Sequence, residues 1–142
     1  MHFQASITVK APRERVYAAY TDFESMPKWS GQLTKVRVAK RDGDTVQLEA
    51  VGLSGSKGRA ATRVMRLVPP TRVESESETR FTKTKRAVLF DEAPEGTKVT
   101  AMADVELRGL WSKILTTKGQ DEVEKSAMQE LASFARYVEG LP

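Results

Sequence analysis

Beyond Leu33 the spacing of apolar residues changes once, and that change limits the fold more than any other feature. Between Leu33 and Leu107 apolar side chains recur at every second position in successive short runs. From Leu110 onward they recur about every 3.6 residues. The first period belongs to half-buried strands and the second to one amphipathic helix. A run of strands joined by tight turns makes an antiparallel sheet, and its apolar face must be covered. The stretch from Leu110 to Glu139 is the one segment long enough to cover it.

The turns are written in the sequence. Phe3, Ala5, Ile7, Val9 and Ala11 alternate as a first strand, and Pro12 stops it. Val16, Tyr17 and Tyr20 then share one face of a short helix over Arg13–Thr21, and Thr21 or Asp22 can cap a second helical piece over Phe23–Met26, closed by Pro27. Strands follow from Leu33 to Arg41 and Thr45 to Val51 around Asp42-Gly43-Asp44, with a loop at Gly52–Gly58. Further strands are predicted over Arg59–Val68, Arg72–Phe81, Lys83–Asp91 and Lys98–Leu107, divided by Pro69-Pro70 and by Ala93-Pro94-Glu95-Gly96. The closing helix contains Gly119, which predicts a kink near Lys118–Asp121. The fold class is therefore α+β: a curved antiparallel sheet of six to seven strands around a long C-terminal helix, with two short helices after strand one. The expectation is a single domain over residues 1–142.

Composition narrows the chemistry. The chain has no cysteine and one histidine, which excludes disulfides, thiolate nucleophiles and histidine-rich or sulfur-bound metal sites. No metal ligand set and no cofactor motif is apparent. No apolar run of bilayer length and no signal-peptide pattern is present, so a soluble, cytoplasmic protein is expected. The net charge of +4 is modest, and aromatic residues do not interleave with the basic middle strands. Nucleic acid is therefore not an expected partner, whereas transient contact with an anionic membrane surface stays open. Nothing separates monomer from dimer.

Strand parity nominates an interior wall. Val73, Ser75, Ser77 and Thr79 oppose Glu74, Glu76 and Glu78, so the acids face water and the hydroxyls face inward. Val99, Ala101, Ala103, Val105 and Leu107 share one face of the last strand. Arg63 shares parity with Met65, and Arg86 with Val88 and Phe90. Either these arginines point into the interior or the parity is reversed, with Thr62 and Val64 inward; the sequence leaves both open. A curved sheet and a straight rod do not close along their whole length, which predicts a wedge-shaped gap at one end. The residues expected to line it are Arg63, Met65, Ser75, Ser77, Arg86, Val88, Phe90, Ala101 and Ala103 from the sheet. Tyr17, Tyr20 and Trp29 come from the helical insert, and Trp111, Leu115, Met128 and Leu131 from the closing helix. None has the setting of a nucleophile or a general base, and no catalytic residue is assigned.

The opening run carries a more specific signal. Ala11-Pro12, four residues, Tyr17, then Thr21-Asp22-Phe23, Pro27 and Trp29 resemble the polyketide cyclase/dehydrase branch of the START-like, or SRPBCC, superfamily. The order of elements along the whole chain resembles that family's helix-grip fold. The resemblance implies binding or transport of a hydrophobic or aromatic small molecule, such as a lipid, a quinone or a polyketide, between sheet and helix. It also implies an alternative, an aromatic cyclase or dehydratase in which Arg63 or Arg86 orients a carbonyl and Tyr17 or Tyr20 relays a proton.

Overall fold

The computed structural model describes residues 1–52, 60–78, 82–107 and 117–142. Seven strands form one antiparallel sheet: β1 (His2–Val9), β2 (Leu33–Asp42), β3 (Thr45–Gly52), β4 (Ala60–Val68), β5 (Arg72–Glu78), β6 (Thr82–Ala93) and β7 (Gly96–Leu107). Their order is β1-β7-β6-β5-β4-β3-β2, so β2 to β7 form a meander and β1 returns to pair with β7. Helix α1 (Arg13–Thr21) and a 3₁₀ turn (Phe23–Lys28) link the two edge strands, and α2 (Thr117–Glu139) closes the chain. The helix-grip architecture and the meander of strands expected from the sequence are present. The expected Gly52–Gly58 loop, Thr79, and the start of the closing helix at Leu110 fall on residues 53–59, 79–81 and 108–116, outside the described residues.

Two local expectations need correction. Asp22 precedes the 3₁₀ turn, but its carboxylate accepts from the Ser25 hydroxyl at 2.8 Å and not from a backbone N–H. Pro27 lies inside that turn, whose last residue is Lys28. Gly119 lies inside α2 (Thr117–Glu139), and the segment before Thr117, on which the expected kink also depends, lies outside the described residues.

The grip is asymmetric. The C-terminal half of α2 buries Leu131, Phe134, Ala135 and Val138 against the sheet. Two contacts pin that end: the Lys10 N–H donates to Glu139 Oε2 at 2.9 Å, and Arg15 donates to the Leu141 and Pro142 carbonyls at 2.6 Å. Toward the other end Val123 and Met128 are 42% and 41% exposed. There the links are lighter, Gln32 to the Ser126 hydroxyl at 3.0 Å and Gln120 to the His2 carbonyl at 3.4 Å. At the far edge β2 carries two register shifts that bend it, and Glu24 accepts the edge N–H of Val38 at 3.1 Å.

The turn into β7 depends on Gly96, whose φ is +148°. A Cβ there would run into the Val9 carbonyl oxygen and stand 2.9 Å from the Ala11 nitrogen. Gly96→Ala is therefore expected to destabilise the fold by about 2–4 kcal/mol, combining backbone strain with a clash. Chemical denaturation checks this; an unchanged midpoint would show that the end of β1 yields easily.

Candidate functional site

The register across the sheet settles the parity the sequence left open. Met65 and Val73 are buried whereas Val64 and Val68 are each 45% exposed, so Arg63 lies on the concave face. The pairings align Arg63, Ser77, Thr84 and Val105 in one row and Met65, Ser75, Arg86 and Ala103 in the next. Then come Val73, Val88 and Ala101, and then Phe90 and Val99.

Burial differs between these rows, and within the second row it runs from buried Met65 to exposed Arg86. Phe90 and Val99 are completely buried. Val88 is buried; Ala101, Ala103, Ser75, Ser77, Thr84 and Arg63 are half-buried; Arg86 is exposed although its parity is inward. The concave face is thus sealed beside the C-terminal half of α2 and reachable beside its N-terminal half. That is the asymmetry expected of a curved sheet around a straight helix.

An aromatic cluster forms the border between the two zones. Tyr20 meets Phe134 at 90° with ring centroids 5.6 Å apart, Phe90 at 5.5 Å and Trp29 at 5.8 Å. Trp29 packs on Phe134 at 4.9 Å, and Tyr17 is edge-on to Phe90 at 5.3 Å. Such edge-to-face pairs add about 0.5–1.5 kcal/mol each to the burial of their area. Pro12 accepts the N–H groups of Arg15 and Val16 and so starts α1, which places Tyr17 and Tyr20 toward the sheet.

The charges converge on Tyr20. Its phenol is pushed up to about 12, first by burial, with Arg86 opposing, Glu130 reinforcing and Arg63 opposing. Burial, with the Arg86 charge beside it, holds the Arg63 guanidinium below its ordinary range, while Tyr20 and Glu130 pull the other way. Burial and then Asp44 raise the Tyr17 phenol. Its hydroxyl and the Trp29 Nε1 are enclosed with no hydrogen-bond partner among the described residues. Glu130 accepts from the Ser30 hydroxyl at 2.6 Å.

Of the sixteen wall residues expected from the sequence, Tyr20, Arg63, Ser75, Ser77, Arg86, Ala101 and Ala103 occupy the reachable zone or its border. Tyr17, Trp29, Met65, Val88, Phe90 and Leu131 are buried in the core. Met128 is exposed on α2. Trp111 and Leu115 lie outside the described residues. Glu130 was missed because alternation had assigned the acids to water. The signal was there, since Glu130 stands three residues after Ala127 and four before Phe134, within the helical stripe.

A depression of about 450 Å³ opens mainly on the opposite face of the sheet, lined by Arg66, Arg72, Glu74, Lys85 and Asp104, with Ser75 and Arg86 of the concave rows also at its wall. Two pairs form within it, Arg72 to Glu74 at 2.8 Å and His2 to Asp104 at 2.9 Å. Among the described residues there is no group of acidic or histidine side chains able to hold a metal ion, and no helix long and apolar enough to cross a membrane.

The family model for polyketide cyclase/dehydrase and lipid transport matches residues 1–139. The chain belongs to that family. Among solved structures it is similar to TTHA0849 from Thermus thermophilus, with 20% identity, 98% of this chain and 97% of that one covered, and a TM-score of 0.84. It is also similar to the Zhui aromatase/cyclase from a Streptomyces species, with 15% identity, 98% and 93% covered, and a TM-score of 0.76. A START superfamily protein from Mycobacterium smegmatis matches with 18% identity, 98% and 94% covered, and a TM-score of 0.66. No curated protein sequence matches. At these identities the likeness is one of fold.

The raised Tyr20 pKa has a consequence for stability. The folded state holds this proton more tightly than the unfolded chain, where tyrosine titrates near 10. The stabilisation is complete below about pH 10 and is lost as pH rises through about 12. Tyr20→Phe should flatten the alkaline limb of the stability curve, and ultraviolet titration at the phenolate band should lose its latest-ionising tyrosine. A tyrosine signal ending near pH 10 in the unaltered protein would contradict this assignment.

Proposed function

We propose that the chain acts as one START-like domain that binds, and carries, a hydrophobic or aromatic small molecule on the concave face beneath the N-terminal half of α2. One observation carries the reading: burial along inward-facing positions falls from Phe90 and Val99 to Ala103 and Arg86 without a change of parity. Inward positions left reachable by solvent are what a binding cleft needs. Ala101, Ala103 and Val105 supply a smooth apolar wall, and Ser75, Ser77, Thr84 and Tyr20 supply hydroxyls for orientation. The family's description, which joins cyclase/dehydrase to lipid transport, supports the same reading. In it the protein is a soluble cytoplasmic carrier, monomeric or dimeric.

A second reading, an aromatic polyketide cyclase or dehydratase, is favoured by the grouping of Arg63, Arg86 and Glu130 around a protonated phenol. Arg63 would polarise a substrate carbonyl and Tyr20 would donate to the oxygen as charge develops. The Zhui aromatase/cyclase shares the fold, which makes the comparison direct.

Native mass spectrometry of protein purified from its own host is expected to show an added hydrophobic mass. Ala103→Trp, which fills the reachable zone while leaving the sealed zone intact, should remove that mass and keep the thermal midpoint within a few degrees. Retention of the ligand by Ala103→Trp would refute this location. For the enzymatic reading, Arg63→Met should lower turnover of an identified polyketone roughly 100-fold, the scale of losing one oxyanion donor; unchanged turnover would dismiss it.

A further inference from the structure

The ligand-binding reading above says where a molecule sits and leaves open what its polar end is. The arrangement of charge answers that question. Among the described residues, Arg13, Arg37 and Arg72 each have a carboxylate at 3.6, 2.6 and 2.8 Å. Arg63 and Arg86, the two arginines on the concave face, have none within ion-pair distance, as is true of Arg41, Arg66 and Arg136; unlike those three, which are exposed, Arg63 is half-buried. A half-buried guanidinium without a counter-charge is costly, and the charge of Arg86 nearby adds to the cost at Arg63.

Their surroundings are rich in donors. Register sets Ser77 beside Arg63 and Ser75 beside Arg86, with both serines on β5 between the arginine strands. Thr84 lies beyond Ser77, and the Tyr20 phenol stays protonated across the physiological range. Guanidiniums offer only donors, and hydroxyls turn to donate when faced with an anion. The matching ligand group is acceptor-only and planar, which describes a carboxylate.

Nearby acids set the charge. Glu130 acts on both Tyr20 and Arg63 but is engaged by the Ser30 hydroxyl at 2.6 Å. Glu124, on the same helix and half-buried, also stays beyond ion-pair distance of either guanidinium. With Arg63 and Arg86 against Glu130 around Tyr20, the local balance favours one added negative charge and opposes a second.

We propose that the molecule held beneath α2 is an amphiphilic monocarboxylate, an aliphatic or aromatic body whose single carboxylate bridges Arg63 and Arg86 across the serines of β5. The hydrocarbon lies along Ala101, Ala103 and Val105, and the carboxylate supplies the counter-charge that the protein's own side chains do not.

The decisive comparison uses the unaltered protein. Isothermal titration calorimetry at neutral pH and low salt sets 2-naphthoate against 2-naphthamide, and decanoate against 1-decanol. In at least one pair the carboxylate is expected to bind roughly tenfold to a hundredfold more tightly than its neutral partner, the scale of a charge-assisted contact. The Arg63→Met/Arg86→Met double variant should erase that difference. Should the double variant not fold, Arg86→Gln, at an exposed position, should remove most of it. Arg66→Gln on the opposite face should change nothing. Equal affinity of acid and neutral partner in the unaltered protein would overturn the anionic end while keeping the cleft. A preference lost through Arg66→Gln would overturn it too. Failure of all four probes to bind would overturn the cleft itself and this proposal with it.

Discussion

Phe134 is the fixed point of this molecule. It is 1% exposed and meets the rings of Tyr20 and Trp29 at the same time, at 5.6 and 4.9 Å. Through that contact α2, α1 and the 3₁₀ turn are held against Phe90 on the sheet as one body. Everything C-terminal to Phe134 on the helix is cemented: Ala135 and Val138 are buried, and Glu139 is tied to the end of β1. N-terminal to Leu131, among the described residues, Ala127 still packs on the core, and Gln32 to Ser126 and Gln120 to His2 add polar contacts at the flanks. A straight rod clamped at one end above a twisted sheet must diverge from it at the other. The position of the clamp, more than any residue of the wall, decides where the opening falls.

That geometry explains how the sheet can afford a polar centre. Arg63, Ser75, Ser77, Thr84 and Arg86 would be expensive beneath a flush helix, since each would need a partner inside the protein. At the diverging end water or a ligand can supply one. The sealed rows around Val73, Phe90, Val99 and Val138 provide the stability that the middle rows give up. A chain that places its costs at one site and its compensation elsewhere has the pattern expected of a functional surface.

The fold was legible in the sequence because its evidence is periodic. Val99 to Leu107 alternates so regularly that only one face can be inward, and the stripe from Val123 to Val138 admits only a helix. The orientation of Arg63 was not legible. Arg59–Val68 alternates weakly, and an arginine at an apolar parity reads equally well on either face until register with Ser77 on β5 and Leu48 on β3 fixes it. Glu130 escaped for another reason. A carboxylate within a helical stripe looks like an interruption of the apolar pattern, and its meaning depends on Ser30, a hundred residues away in sequence, which donates to it. Long-range polar pairings leave no periodic trace, and candidate sites are built largely from them. Even the aromatic residues read as wall, Tyr17 and Trp29, proved to be buried in the core, because sequence gives composition and parity but not depth.

Depth also bears on what chemistry this interior can support. With its pKa near 12, Tyr20 is a proton donor at neutral pH and a poor base. Arg63 and Arg86 hold positive charge and accept nothing. Among the described residues Glu130, already bonded to Ser30, is the carboxylate acting on Tyr20 and Arg63, and it sits on the helix side of the cluster. Such a set favours electron-rich oxygen on its ligand and is poorly equipped to withdraw a proton from carbon. It suits holding a carboxylate, or stabilising an oxyanion that forms in a substrate already inclined to react. Carrier and cyclase readings therefore share one electrostatic device. They differ in whether the negative charge arrives with the ligand or appears during a reaction, and Arg63 is the residue through which that difference acts.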